Sequence, residues 1–199
     1  MQPHSHNPRA FTLVEMLVVI TITGFVGIAL NTMIVSFYRN NAYLLQETSA
    51  IDSAHRGLST SFIDLREASY GDDGSYPLLS VATSSITFFS DIDGDGSVEK
   101  IHLYLLNGVF YRGVTDSTST PPTYVAQKEA TTTIATFVRN DAATPLFRYY
   151  DDAGFELSSS TIPIASIRSI STEVMVDLNP LRAPDILVLQ ETATLRNLR

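Results

Sequence analysis

From Met16 to Tyr38 the chain runs for 23 positions without a charged residue. Coiled as a helix that stretch is about 35 Å long, enough to cross a hydrocarbon core of about 30 Å. It reads as a membrane-spanning helix, and no second run of this kind follows it. Before it lies a short polar stretch, Met1 to Ala10, with His4, His6 and one fixed positive charge, Arg9; after it come Arg39, Asn40 and Asn41. An ordinary secretory signal would be cut after small residues such as Gly27 or Ala29. Glu15 argues against that reading, because it puts an acid at the threshold of the apolar run where signal peptides carry positive charge.

The remaining length is ample for a folded domain. Of 199 residues, 44% are hydrophobic, and the aromatic and β-branched content argues against a disordered chain. Thirteen Lys and Arg against 21 Asp and Glu leave a formal net charge of −8, so direct nucleic-acid binding is not expected, since affinity for a phosphate backbone comes mostly from basic side chains. There is no cysteine. Thiol catalysis, Cys-ligated zinc and disulfides are excluded with it.

The segment Arg9-Ala10-Phe11-Thr12-Leu13-Val14-Glu15-Met16-Leu17 resembles the processing site of type IV prepilins and type II secretion pseudopilins. In that family a membrane peptidase cuts just before the apolar stretch and methylates the new amino terminus. The resemblance implies a leader over residues 1–10, a scissile bond between Ala10 and Phe11, N-methylation at Phe11, and Glu15 as the fifth residue after the cut. The family most often has Gly before the cut; Ala10 is similarly small.

Glu15 can also be read from its chemistry. An ionised carboxylate at membrane depth costs about 2.5 to 3.5 kcal/mol even on lenient insertion scales, so such a residue usually has a partner. Loss of the leader would create a cationic amine at Phe11, and a subunit displaced along a filament could bring that amine to Glu15. This is the role the resemblance implies. The alternative is a carboxylate solvated at the headgroup boundary.

Helical periodicity continues past the apolar run. Leu44, Thr48, Ile51, His55, Leu58, Phe62, Leu65 and Ser69 recur at alternating spacings of four and three, which is one helix stripe. Between them, Gln46, Glu47, Asp52, Arg56, Asp64, Arg66 and Glu67 are expected to face water or neighbouring subunits. No proline interrupts residues 9–76. One helix is therefore expected over 11–68, with a membrane or filament-core part (11–38) and an amphipathic part (39–70). Gly24 and Gly27 weaken it by up to about 1 kcal/mol each, either to permit local unwinding or to let helices approach closely.

After Gly71-Asp72-Asp73-Gly74 and Pro77 the pattern becomes β-rich, and residues 71–199 are expected to form a globular head. Strands are expected at 85–90, 98–106, 109–114, 131–138, 146–151, 167–178 and 186–196. Ile101, Leu103 and Leu105 alternate with Lys100, His102 and Tyr104, as on a sheet with one covered face. Asn107-Gly108 signals a tight hairpin, and residues 115–123 read as an exposed loop. The fold class is thus α+β, a long N-terminal helix on an antiparallel sheet. Asp64-Leu65-Arg66-Glu67-Ala68 and Leu195-Arg196-Asn197-Leu198 are similar to passages of minor pilins and pseudopilins.

Outside the helix the sharpest chemistry lies in Asp91-Ile92-Asp93-Gly94-Asp95-Gly96-Ser97-Val98-Glu99. Alternating aspartates around glycines can aim several oxygens at one hard cation. His102 falls where an EF-hand loop puts its bidentate Glu, and the flanks read as strands, so this is not an EF-hand. A looser calcium site on Asp91, Asp93, Asp95 and Glu99 is one reading, and a solvated Asp/Gly turn is the other. No enzyme constellation emerges: there is no HExxH, no phosphate-binding glycine loop and no Gly-x-Ser-x-Gly elbow. His55 is expected to pack rather than to catalyse.

The resemblance thus implies a structural minor pilin or pseudopilin, held as a single-pass protein of the cytoplasmic (inner) membrane with an extracytoplasmic head. Its partners would be the prepilin peptidase, other pilin or pseudopilin subunits and the inner-membrane assembly platform, with no required cofactor beyond the calcium in question. Glu15 argues against the tip-most pseudopilin, which typically lacks that acid. The rival is a membrane-anchored, calcium-dependent binding module that never polymerises.

Overall fold

The computed structural model describes residues 12–118, 120–158, 162–178 and 186–196. The chain divides into two compact units, Met1–Gln46 and Glu47–Arg199. The expected cut between Ala10 and Phe11, and Asn197 and Leu198 of the closing passage, lie outside the described residues.

Helix α1 is Leu13–Arg66. In the first unit every residue from 12 to 42 is exposed, including Leu17, Phe25 and Phe37 at 60%, 70% and 67%. The core helix of a soluble protein would bury such side chains. Here the helix's own fold supplies their backbone hydrogen bonds and nothing else, as in a segment built for lipid or for neighbouring helices.

In the second unit the end of α1 covers antiparallel β-structure. Strands β1 (Leu78–Val81), β2 (Ser85–Ser90), β3 (Glu99–Leu106), β4 (Val109–Thr115) and β7 (Ala130–Ala135) form one sheet in the order β1-β2-β3-β4-β7. A second sheet has the order β10-β9-β8, from β8 (Phe147–Tyr150), β9 (Ser169–Val176) and β10 (Leu187–Thr194). Strands β5 (Ser117–Thr118) and β6 (Thr123–Tyr124) make a small ribbon.

Ile101 and Leu103 point into the core with Ile86, Phe88 and Phe110, while Lys100, His102 and Tyr104 alternate with them at half-buried positions. Asn107 and Gly108 both have positive φ, 51° and 74°, which is the backbone a two-residue hairpin with right-handed strand twist requires. All seven expected strands form. The strand expected over 131–138 ends early, at Ala135, because Phe137 takes φ 59° and redirects the chain. Val138 then bridges to Val176 on β9, while its N–H donates to Gly108 O, so this turn stitches the two sheets together. Strand β1 carries no alternation that would have announced it.

The helix stripe holds at its C-terminal end and slips by one residue before it. Leu58, Phe62 and Leu65 are buried as expected, but Ala54 takes the inward place given to His55, and Leu44, Thr48 and His55 are exposed. Small residues explain the slip. Gly57 lies so close to β7 that an added Cβ would stand 2.8 Å from Ile134 Cγ2, so the seam follows the residues that let the sheet approach.

Asp64 departs from expectation too, since it faces the sheet rather than water. Arg112 Nη2 donates to Asp64 Oδ2 at 2.8 Å, with the side chains 18% and 10% exposed. Arg112 sits on β4 two residues from the buried Phe110 and opposite the buried Leu103, so the pair joins helix to sheet at the edge of the core. Burial pushes the Asp64 carboxyl above its usual range, and the Arg112 charge opposes that shift. Removing one partner of a buried pair leaves an uncompensated charge, at about 3 to 5 kcal/mol. We therefore expect Arg112→Met to lower the stability of the full chain in detergent by about that amount in urea unfolding followed by tyrosine fluorescence. The sign with pH also follows: a lone buried Asp64 folds best protonated, so the deficit should shrink as pH is lowered toward the carboxylate range.

Candidate functional site

Two places concentrate the chemistry, one at the start of α1 and one in the loop between β2 and β3. At the first, Thr12 precedes the helix and its Oγ1 accepts the N–H of Glu15 at 3.3 Å, while its carbonyl accepts the N–H of Met16 at 3.2 Å. Thr12 is thus the cap and Glu15 the third helical residue, the spacing of a capping box. An acid in this first turn also meets the positive end of the helix dipole. Glu15 is exposed. Its carboxylate is therefore placed at the helix mouth. Thr-x-x-Glu was readable in the sequence as a helix start, a role for Glu15 additional to any partner.

Residues 5–31 match the family of the prokaryotic N-terminal methylation motif. The chain carries the signature of the type IV pilin and pseudopilin superfamily. A long apolar N-terminal helix with antiparallel sheets is consistent with the pilin fold. The match ends within the apolar run, and a comparison with curated proteins finds no significant match. Pilin-type subunits with this motif are structural and membrane-anchored, and the motif implies processing by a prepilin peptidase and assembly with other subunits.

The second place is the loop 91–98, closed by Glu99 at the start of β3. Asp91 accepts the N–H of Gly94 on Oδ1 (2.7 Å) and that of Gly96 on Oδ2 (3.1 Å), and Asp93 Oδ1 accepts the N–H of Asp95 at 3.2 Å. Gly94 and Gly96 have φ 73° and 87°, which side-chain-bearing residues rarely adopt. Asp91, Asp93 and Glu99 bring one oxygen each to within 4.8 Å of one another. Asp95 is not in that group; its Oδ1 accepts the N–H of Ser97 at 2.7 Å. Glu99 is only 5% exposed and accepts the Ile92 N–H at 3.0 Å. Burial raises its carboxyl above the usual range, the Ile92 bond opposes this, and the charges of Asp93, Asp91 and Asp95 raise it further. His102 stands apart: its Nδ1 is 3.5 Å from Glu129 Oε1 and its ring stacks on Tyr104 at 4.5 Å.

The residue that organises this end of the domain was legible only as a turn signal. Asp72 Oδ2 accepts the Ser117 hydroxyl at 2.6 Å, and the Ser97 hydroxyl and Val98 N–H each at 3.3 Å. The Asp72 N–H donates to Tyr124 Oη at 3.0 Å, and that hydroxyl donates to Val98 O at 2.7 Å. One carboxylate thus ties together the turn after α1, the acidic loop and the ribbon β5-β6. The segment 115–123 is for that reason not the free loop its Ser/Thr/Pro composition suggests. The Ser117 bond, ahead of those from Val98 and Ser97, holds the Asp72 carboxyl below its usual range.

Asp72→Ala should raise amide hydrogen exchange across 115–124 by tenfold or more while leaving Ser169–Val176 of β9 unchanged. Because the folded pKa of Asp72 is depressed, its contribution is present above the ordinary carboxylate pKa and is lost only as pH falls through the lower folded value. The protection factors of this ribbon in the wild type should therefore stay flat through mildly acidic pH.

Proposed function

We propose that the protein is a structural minor subunit, a minor pilin or pseudopilin, of a type IV filament system. It is made with a leader over residues 1–10, cut by the prepilin peptidase between Ala10 and Phe11, N-methylated at Phe11, and stored as a single-pass protein of the inner membrane with its second unit outside the cytoplasm. The assembly platform then feeds it into a filament of pilin or pseudopilin subunits, where Glu15 pairs with the Phe11 amine of a neighbour. The observation that carries this reading is the methylation motif at residues 5–31 on a helix whose residues 12–42 have no covering protein of their own.

The intact mass of protein from its native membrane should correspond to loss of Met1 to Ala10 plus one methyl group. An unprocessed mass would overturn the reading in favour of an anchored module that does not polymerise. Glu15→Ala should leave the mature protein in the membrane yet reduce its recovery in sheared filaments at least tenfold; unchanged recovery would remove the pairing.

We further propose that the acidic loop takes a calcium ion on Asp91, Asp93 and Glu99, with Asp95 a reserve ligand. Support comes from the convergence of their three oxygens within 4.8 Å. Oxygen-only ligands of high negative charge suit a hard cation, in the weak range of extracellular modules, about 10⁻⁴ to 10⁻³ M. Calorimetry on the full chain in detergent should give heat in that range, abolished by Asp93→Asn. No heat and no thermal shift at millimolar calcium would leave the loop a solvated turn.

A further inference from the structure

Gly113 stands inside β4 with no backbone reason to be glycine, since its φ lies outside the left-handed region. Glycine weakens a strand interior and often marks a close approach by another group. Here that group is the side chain of Glu129: a Cβ added to Gly113 would overlap its carboxylate and press on its Cγ. Gly113 pairs with His102 on β3 and with Thr131 on β7. Glu129, two residues before Thr131, thus passes over β4 through the gap that glycine leaves and ends at His102, with Oε1 3.5 Å from Nδ1. One side chain ties the start of β7 to β3.

The tie depends on charge. It is an ion pair while the imidazole is protonated and loses that attraction when the ring is neutral. The His102 ring also stacks on Tyr104 at 4.5 Å, and Tyr104 on Tyr111 at 5.3 Å, so an imidazolium meets an aromatic face as well. On the elements around His102, this side of the sheet carries the ionisable groups Glu129, Lys100, Tyr104 and Tyr111, with Tyr124 beside Lys100. Strand β2 adds Thr87 opposite His102 and nothing ionisable. Arg112 is engaged with Asp64, and Glu99 with the acidic loop. Glu129 is therefore the acid that answers His102.

The segment it anchors has little else to hold it. Ala126–Lys128 form a single 3₁₀ turn with no buried side chain, closed by Lys128 N–H to Val125 O at 2.9 Å and Glu129 N–H to Ala126 O at 3.2 Å. We propose that Glu129 and His102 form a pH-operated latch, closed over Gly113 while His102 is protonated and released as it loses its proton. The latch makes the order of the connection from the β5-β6 ribbon to β7 follow the acidity around the second unit. Its attraction is present at acidic pH and is lost as pH rises through the His102 titration. Neither processing of the chain nor occupation of the acidic loop enters into it.

Protection factors from amide exchange of the full chain in detergent, between about pH 5 and 8, test this against the titration of His102 followed by NMR of isotope-labelled histidine. His102→Gln assigns the resonance. Residues 126–130 should be about two- to fivefold better protected at the acidic end, the range of a partly exposed ion pair, with a midpoint at the His102 titration. The ribbon 115–124, held by Asp72, should not follow. Glu129→Gln keeps the size and removes the charge, and Gly113→Ala fills the path. Each should flatten the step while Ser169–Val176 of β9 keeps its protection, which reports that the variant is folded. A step that survives Glu129→Gln, or wild-type protection at 126–130 that stays flat while His102 titrates, would overturn the proposal.

Discussion

A helix in hydrocarbon satisfies its own backbone and little else. That constraint governs the first unit of this protein, where every residue from 12 to 42 is uncovered by the rest of the described chain. Apolar side chains can be met by lipid at no cost in hydrogen bonds, so they fix the environment without fixing a partner. The few polar groups are what can specify one. Thr21 and Thr32 are spent on their own helix, while the exposed carboxylate of Glu15 at its mouth keeps hydrogen-bonding capacity for something outside it.

The second unit solves the opposite problem, since its helix must be held by protein alone. Ala54, Leu58, Phe62 and Leu65 bury against the inner faces of the sheets, and Gly57 lets β7 come close. The Asp64 and Arg112 pair adds geometry more than energy. Desolvating two charges consumes much of what their attraction returns, yet a bond from the helix to the middle of β4 admits few alternative seatings. Arg66 reinforces the same end, donating to Thr192 O on β10 at 3.0 Å. The helix therefore contacts both sheets with polar bonds near its C-terminus, where the stripe of large apolar residues is densest.

Legibility in the sequence tracked how local each cause is. The apolar run, the Asn107-Gly108 hairpin and the seven strands follow from neighbours in sequence, and they appear in the structure within a few residues of expectation. What failed is what depends on tertiary approach. His55 fits a four-three spacing as well as Ala54 does, but only a small residue admits the sheet there. Asp64 looks like any surface acid until Arg112, 48 positions on, is brought beside it. Asp72 offered a turn and nothing more, because its partners Ser97, Ser117 and Tyr124 come from three other segments. The acidic loop was legible as a cluster of oxygens, but which three converge depended on where strand β3 begins and how its two glycines turn the chain.

The extent of the family match has a physical counterpart. The matched stretch, residues 5–31, includes much of an apolar run whose described residues are all exposed, so its pattern answers to what surrounds the chain rather than to the chain's own core. The second unit has to bury a core and carry a surface, which many sequences can do provided the periodicities hold. Its specific features, the Asp72 junction and the loop it steadies, are confined to one end, where Ser97 belongs both to the acidic loop and to the Asp72 network. A cation drawn to Asp91, Asp93 and Glu99 would act on a loop already fixed at its far end by Asp72. Its effect would then extend through Ser97 to the β5-β6 ribbon, making that surface the part of the head whose order responds to the ion.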